Sequence, residues 1–220
     1  DNLNPYPAIL MGGPIRDRGG HAADWLAGML AQDYPVERFR VGVVVNDSHD
    51  DTEQICRWAE SQYPGRVSIL RRDHGCQVDN NNRRGDRDYA QFARVRNDFI
   101  GMLRPEEDKL FFVDSDVVLH PNCLRRLVEW RLPLVSAMIK NNHQASPWHC
   151  NGMLWMDAQI GPDKFIWWPP EFQEKAGLVE VDLTGAVFLI DREVLDAGVR
   201  YDFHEFGEDG PFCWAAQQKG

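Results

Sequence analysis

The chain has 220 residues, 43% of them hydrophobic, and a formal net charge of −10 at pH 7, so it holds enough apolar material for the core of one large domain. The acidic charge argues against nucleic acid as the main partner, because nucleic-acid binding relies on lysine and arginine that neutralise phosphates. No apolar run approaches the roughly 18 residues of a membrane span, and the sequence shows no signal peptide. Five cysteines without a C-x-x-C pair fit neither a disulfide framework nor a common zinc site, so we expect a cytoplasmic location.

The first predicted strand covers residues 7–11 and is followed by a glycine-rich loop, residues 12–20. Because glycine has no side chain, such a loop lets the backbone approach the phosphates of a nucleotide. Gly13, Pro14 and Arg16 are therefore candidate nucleotide contacts. The sequence is not G-x-G-x-x-G, so the signal for a dinucleotide is weak. Arg16 also fits the commoner role of a solvated loop arginine.

A helix over residues 21–31 and an apolar strand over residues 39–45 follow. The polar cluster after this strand begins with Asn46 and Asp47. Amide and carboxylate groups match the hydroxyls of a ribose and the ring nitrogens of a base, so both residues are candidate nucleotide contacts. Alternatively, the cluster caps the next predicted helix, residues 52–61, and the two roles are compatible.

The stretch 72–88 is polar and crowded with charges, so it cannot bury a core. A loop of this length is usually functional or mobile, and we expect a flexible flap beside the nucleotide. An amphipathic helix is predicted over residues 89–103. Arg94, Arg96 and Asn97 lie off its apolar stripe; a solvated face accounts for at least one of them, and Arg96 is a candidate nucleotide contact.

The chain is organised around an apolar run, residues 110–113, that ends in two aspartates one residue apart, Asp114 and Asp116. An apolar run without alternation predicts a buried parallel strand, and open α/β sheets bind ligands at the tips of such strands. Two carboxylates so close repel each other, which predicts Mg²⁺ or Mn²⁺ as their partner, holding a diphosphate in turn. Ser115, between them, is a further candidate nucleotide contact. The alternative is an Asx turn that caps the next helix.

Further apolar runs predict a strand at residues 67–70, a helix at 121–130 and a strand at 134–139. Strands thus alternate with helices from residue 7 to residue 139. This alternation is typical of a mostly parallel α/β sheet with helices on its faces.

After residue 140 the pattern changes. Residues 141–170 carry several tryptophans among glycine and proline. Aromatic faces suit sugar rings, although covering the sheet is the simpler role for any one tryptophan. Beyond them we predict strands at 179–181 and 186–190 and a short helix at 191–197.

The last informative stretch is an acidic helix start. Glu208 and Asp209 begin the final predicted helix, where the helix dipole already stabilises acids. A functional role requires in addition that they face the metal site. His204 precedes them and is a candidate third metal ligand, although a single histidine is more often a surface or core residue.

Together these residues resemble a GT-A glycosyltransferase of the family 2 type. Residues 113–116 resemble its D-x-D motif, residues 44–53 its nucleotide-binding segment, and residues 207–213 its acidic helix start. Residues 93–97 and His204 are closer to the mannan-polymerase mannosyltransferases. The combination and order of these motifs are specific, although D-x-D alone is not.

The resemblance implies transfer of a hexose from a UDP- or GDP-sugar to a glycan or other hydroxyl acceptor, with Mn²⁺ or Mg²⁺. It places Asp116 on the metal and Asp114 on the metal or the ribose. If the transfer inverts the anomeric centre, Asp209 is the first candidate for the general base and Glu208 the second. If the transfer retains, as the mannosyltransferase likeness suggests, these acids position the acceptor or the sugar instead.

The fold implied is a single GT-A (Rossmann-like) domain, residues 1–220, without a transmembrane segment. Its nucleotide-binding half covers residues 7–139 and its acceptor-binding half residues 140–220. The sequence leaves the oligomeric state open.

Two other functions compete with this one. A nucleotidyltransferase also uses an α/β sheet with paired aspartates, but it needs a basic glycine-rich loop, of which residues 12–16 are a poor version. A carbohydrate-binding or inactive domain would use the tryptophans alone. The presence of both aspartates and of the acidic helix start argues against such a domain.

Overall fold

The protein is described here by a computed structural model, which covers residues 6–75, 88–139, 153–155, 165–167, 177–205 and 207–219. Its strands are β1 (Ile9–Ile15), β2 (Phe39–Asn46), β3 (Val67–Arg72), β4 (Lys109–Val113), β5 (Leu134–Ser136), β6 (Met153–Trp155), β7 (Phe165–Trp167) and β8 (Val187–Asp191). Its α-helices are α1 (Gly19–Leu30), α2 (Thr52–Gln62), α3 (Tyr89–Ile100), α4 (Cys123–Glu129), α5 (Arg192–Asp196) and α6 (Asp209–Gln217), and a 3₁₀ turn spans Val36–Arg38.

Six strands form the central sheet, in the order β3-β2-β1-β4-β8-β5. Strands β1 to β4 run parallel, and β8 lies antiparallel between β4 and β5. Strands β6 and β7 pair separately as a two-stranded antiparallel sheet. The predicted α/β class, with a mostly parallel sheet flanked by helices, is confirmed.

Both faces of the sheet are covered, which explains why its strands are apolar at consecutive positions. Along β4, Phe111 and Val113 pack into one core cluster with Trp25 of α1. Leu110 and Phe112 pack into a second cluster on the other face, which includes residues of α3 and α6. The two faces of the sheet thus carry two core clusters, and elements from early and late in the chain pack against them.

The amino-terminal edge of the sheet is fixed by a buried ion pair. Arg40 in β2 donates to both carboxylate oxygens of Glu107, from Nε to Oε1 at 2.5 Å and from Nη2 to Oε2 at 3.0 Å. The backbone N–H of Arg104 donates to Glu107 Oε2 at 2.6 Å, and Arg192 Nε donates to the Glu107 carbonyl at 2.6 Å. This network ties β2, β4 and the start of α5 together at the edge opposite the acidic residues.

Two predicted elements were wrong. Residues 12–15 continue β1 and are not a loop, because Gly12 and Gly42 allow β1 and β2 to approach closely: a Cβ on Gly12 would lie 1.9 Å from the Gly42 carbonyl oxygen. Strand β4 pairs with β1 only as far as Gly12, so Pro14 sits where a missing N–H costs no bond to β4. The predicted strand 179–181 is an irregular segment.

Other predictions have mixed outcomes. The remaining strands and helices predicted in the described ranges are present, with ends shifted by at most three residues. Most of the proposed flap, 72–88, and most of the aromatic stretch 141–170 lie outside the described residues. None of the helices in the described ranges is long and apolar enough to cross a membrane. The described cysteines, Cys56, Cys123 and Cys213, are free thiols.

Candidate active site

The carboxyl ends of three parallel strands bring the candidate residues to one edge of the sheet. Asn46 ends β2, Arg16 follows β1, and Asp114 follows β4. Since β1 pairs with both β2 and β4 in parallel register, the three strand tips are neighbours. Topology alone therefore places the polar clusters seen in the sequence side by side.

Arg96 in α3 is the centre of the site. Its guanidinium contacts three carboxylates: Nε lies 2.7 Å from Glu208 Oε1, Nη2 lies 3.1 Å from Asp114 Oδ1, and Nη1 lies 3.9 Å from Asp209 Oδ1. The residue is only 8% exposed. Burial lowers the pKa of Arg96, but the surrounding carboxylates more than offset this and hold it well above the usual value. The guanidinium is thus a permanent positive charge inside an acidic cluster.

Aromatic rings flank this guanidinium. The Arg96 Cζ atom lies 4.5 Å from the centroid of Phe112 and 5.3 Å from that of Tyr201, distances typical of cation–π contacts. Tyr201 stacks in turn on Phe212 at 4.3 Å between centroids. Asn97, next to Arg96, exchanges two hydrogen bonds with the Tyr201 backbone at 2.9 and 3.0 Å. The segment around Tyr201 is thereby held against α3.

The three residues of the D-x-D motif differ in exposure. Asp114 is partly buried, and its N–H donates to the Ala186 carbonyl at 2.7 Å. Burial, with repulsion from Asp116 and Glu208, raises the pKa of Asp114 to about 6 despite the attraction of Arg96. Ser115 is partly buried, and Asp116 is exposed. The outer aspartate is therefore accessible to a cation, whereas the inner one is anchored to the protein.

The two acids at the start of α6 also differ. Glu208 is only 4% exposed and is committed to Arg96. Asp209 has a side chain that is 28% exposed, and its pKa is raised to about 7 by burial and by Glu208 and Asp114, against the lowering effect of Arg96. A carboxyl group with a pKa near neutrality, open on one side, is suited to exchange a proton at physiological pH.

The Asp47 side chain is held by hydrogen bonds to two segments of the chain. Its carboxylate accepts from the backbone N–H groups of Gly75 at 2.8 Å and His74 at 3.2 Å, and from Gln91 Nε2 at 2.8 Å. It thus orders the segment after β3 and joins it to α3. Asn46 is buried at the end of β2, so both predicted nucleotide contacts lie at the expected edge, with Asp47 already engaged.

The candidate nucleotide contacts in and after β1 are far from the acidic residues in sequence, but they lie at the same edge of the sheet. Gly13 and Pro14 lie in β1 itself, and Arg16 is the first residue beyond it. Arg16 Nε lies 3.4 Å from Asp17 Oδ2, and Asp17 Oδ1 accepts from the His49 N–H at 2.7 Å. The β1 and β2 tips are therefore linked by hydrogen bonds.

The side chains in the described ranges do not form a complete metal site by themselves. In the described ranges no group of three or more His, Cys, Asp and Glu side chains is arranged to hold a metal ion, so His204 does not join Asp114 and Asp116 in such a group. The two aspartates do supply hard oxygen donors of the kind that Mg²⁺ and Mn²⁺ prefer. Such ions often take their remaining ligands from substrate phosphates and water, and the donor set fits that arrangement.

Sequence reasoning missed the residues that support the acids. Tyr201, Thr184, Gly185 and Ala186 were not predicted as part of the site, although they surround Arg96, Asp114 and Asp209. Their composition carries no chemical signal, and only the return of β8 beside β4 brings them there.

These features define a GT-A fold, and the comparisons agree. The chain belongs to the family described as "Glycosyltransferase like family 2", which matches residues 18–140. The predicted family 2-like GT-A class is confirmed; the finer likeness to the mannan-polymerase mannosyltransferases stays a prediction. No curated protein matches the chain.

Solved structures share the fold at low sequence identity. The mannosyltransferase PcManGT from Pyrobaculum calidifontis, in complex with GDP-Man and Mn²⁺, has a TM-score of 0.58 and 17% identity, over 94% of this chain and 50% of that one. TarS from S. aureus has a TM-score of 0.61 and 17% identity, over 95% of this chain and 33% of that one. A shorter TarS, in complex with UDP-GlcNAc, has a TM-score of 0.61 and 17% identity, over 95% and 53% of the two chains. The chain thus spans about half or less of the length of these proteins.

Proposed function

We propose that this chain is a metal-dependent glycosyltransferase that moves a sugar from a nucleotide-diphosphate sugar to a hydroxyl acceptor. The observation that carries the proposal is the sharing of Arg96 by Asp114 and Asp209. It brings a D-x-D aspartate and a carboxyl group with a pKa near 7 to one edge of a GT-A sheet. Family membership favours this function over the nucleotidyltransferase and the carbohydrate-binding domain.

The donor side of the site is formed by the strand tips. Asn46 and Asp47 lie where a base and ribose bind in this proposal, with Ser115 at the tip of β4 nearby. Gly13, Pro14 and Arg16 extend the same edge. The similar structures hold GDP-Man in one case and UDP-GlcNAc in another, so the donor base of this chain is left as uridine or guanosine.

Asp116 and Asp114 would hold the Mn²⁺ or Mg²⁺ ion. When bound, such an ion supplies positive charge beside the leaving diphosphate, where negative charge grows as the glycosidic bond breaks. The two aspartates differ in how they could hold the ion. Asp116 is exposed and free to turn towards a ligand, whereas the bond from the Asp114 N–H to Ala186 fixes the strand tip.

Asp209 is the general base in this proposal. Its carboxylate would accept the proton of the acceptor hydroxyl as the oxygen attacks the anomeric carbon. Glu208 fits this role less well, because it is buried and paired with Arg96 at 2.7 Å. If Asp209 acts in a single displacement, the transfer inverts the anomeric centre.

The acceptor is a glycan or another hydroxyl compound. The acceptor-binding half, residues 140–220, stays a prediction, as does the role of its tryptophans. The cytoplasmic location stays a prediction.

Calorimetric titration of UDP and GDP, each with and without Mn²⁺, tests the proposal on the wild type and on Asp116→Ala. We expect one nucleotide to bind tightly only when both the metal and Asp116 are present. Arg94→Ala, a change on an exposed face of α3, serves as the control and leaves binding unchanged. Binding of neither nucleotide under any condition would show that the donor is not a UDP- or GDP-sugar. The anomeric configuration of the product, read by NMR, then tests inversion.

A further inference from the structure

A strained turn packs against the proposed base. The Val187 N–H donates to the Gly185 carbonyl at 2.8 Å, which closes a γ-turn around Ala186. The φ angle of Ala186 is +67°, a conformation that is rare and strained for a residue with a Cβ atom. Backbone strain of this kind persists only where the surrounding structure enforces it, and it concentrates at functional sites.

The turn is held in place from three sides. The Ala186 carbonyl accepts from the Asp114 N–H at 2.7 Å, at the tip of β4. The Val187 carbonyl accepts from Ser136 Oγ of β5 at 2.8 Å, and Ser136 Oγ accepts from Thr184 Oγ1 at 2.7 Å. Cys213 Sγ of α6 donates to the Thr184 carbonyl at 3.4 Å. Hydrogen bonds therefore tie the segment 184–187 to the tip of β4, to β5 and to α6.

Gly185 leaves no room for a side chain. A Cβ at this position would lie 2.5 Å from Asp209 Oδ2, closer than Cβ atoms approach other atoms, and 3.1 Å from Asp209 Cγ, so the Asp209 carboxylate would have to move. The backbone of Gly185 does not need a positive φ, so the requirement for glycine comes from the Asp209 carboxylate and not from chain geometry. The Asp209 carboxylate occupies the space that a side chain at position 185 would need.

We propose that the turn of residues 184–187 is a positioning element for the transfer reaction, with Gly185 setting the place of the Asp209 carboxylate relative to Asp114. The inference rests on the proposed function for its catalytic meaning. This turn contacts the proposed base, Asp209, through Gly185 and the tip of β4 through Ala186. It therefore sets the distance between the Asp209 carboxylate and Asp114. A shift of about 1 Å in such a distance costs on the order of 100-fold in rate.

The experiment compares Gly185→Ala with Gly20→Ala, a glycine whose added Cβ would contact nothing. We expect Gly185→Ala to lower kcat by about 100-fold while the KM for the donor and the affinity for UDP or GDP stay within about 2-fold. Gly20→Ala leaves kcat and KM unchanged. An unchanged kcat in Gly185→Ala, or a loss confined to KM, would overturn the proposal.

A second measurement does not depend on activity. Gly185→Ala should lower Tm by about 5 °C in the wild type, because the new methyl group overpacks the site. In an Asp209→Ala background the same change should lower Tm by much less, since the group it displaces is absent. Equal losses in both backgrounds would show that Gly185 does not support Asp209. If the wild type transfers no sugar, the proposed function is wrong. The Tm comparison then still tests whether Gly185 supports the Asp209 side chain.

Discussion

Arg96 and Glu208 form a buried ion pair at 2.7 Å between residues 112 positions apart in the sequence. The pair joins the middle of α3 to the start of α6 and so connects the two halves of the chain inside the candidate active site. Breaking one partner of a buried pair is costly, because the remaining charge stays desolvated without compensation.

Replacement of Arg96 by Met should therefore destabilise the fold strongly. We expect a loss of about 3–5 kcal/mol in the free energy of unfolding, since Glu208 and Asp114 lose their shared counter-charge together. Arg94→Met, on the exposed side of the same helix, should change it by less than about 0.5 kcal/mol. Urea unfolding of both variants checks this, and equal effects would show that the ion pair does not stabilise the native state.

Replacement of Asp209 by Asn should remove the base and little else. We expect kcat to fall by about 10²- to 10⁴-fold, with donor affinity retained. In the wild type kcat should fall as the pH drops through about 7, the pKa of Asp209, because the protonated carboxyl cannot accept the acceptor proton. Rate profiles over pH on wild type, Asp209→Asn and the exposed-site control Glu205→Gln test this. A control as slow as Asp209→Asn, or an Asp209→Asn enzyme at full rate, contradicts it.

The same group predicts how stability depends on pH. The pKa of Asp209 is raised from the usual 3.8 to about 7 in the native state, so between these values the native state binds more protons than the unfolded state. Stability contributed by the protonated group is then lost as the pH rises from about 4 to about 7. Asp209→Asn lacks this loss, so its stability relative to the wild type should be higher at pH 8 than at pH 4 by on the order of 4 kcal/mol. Chemical unfolding at several pH values measures the difference, and a constant offset rules out the raised pKa.

The Arg40–Glu107 ion pair lies at the edge of the sheet opposite the candidate site, so a change there should affect stability and not nucleotide binding. Glu107→Gln should destabilise the protein by about 3 kcal/mol, because Arg40 is buried beside it and would lose its counter-charge. Nucleotide binding should be unaffected once the protein is folded. Glu106→Gln, at the exposed neighbouring position, should be nearly neutral. Thermal unfolding decides, and similar Tm values for the two variants would contradict the role of the ion pair.

Much of the fold was predictable from apolar periodicity. Residues 110–113 are apolar without alternation, and the structure places them in the middle of a sheet covered on both faces. The D-x-D and acidic helix-start motifs were recognisable because their carboxylates are unusual beside apolar segments. Glu208 and Asp209 do begin α6, as predicted.

The rest of the site depends on contacts that are distant in sequence. Nothing local shows that Arg96 turns inward, since its neighbour Arg94 is exposed on the same helix. Residues 12–15 look like a loop because glycine and proline weaken strands, and only the close approach of β2 makes them a strand. Gly185 and Ala186 have no functional groups in their side chains, so the sequence gives no reason to place them in the site. Their role is visible only in the structure, where Gly185 lies against Asp209.

The antiparallel insertion of β8 between β4 and β5 has a consequence for synthesis of the protein. Strand β4 leaves the ribosome well before β8, its partner along Lys109–Val113, and at roughly 5–20 residues per second this delay lasts several seconds. During that time the edge of β4 that later meets β8 is an unpaired apolar strand, of the kind that chaperones shield. Arg96 and Asp114 are by then already made, but Glu208 and Asp209, the other two acids paired with Arg96, are made later still. The candidate active site can thus form only after α6 has left the ribosome.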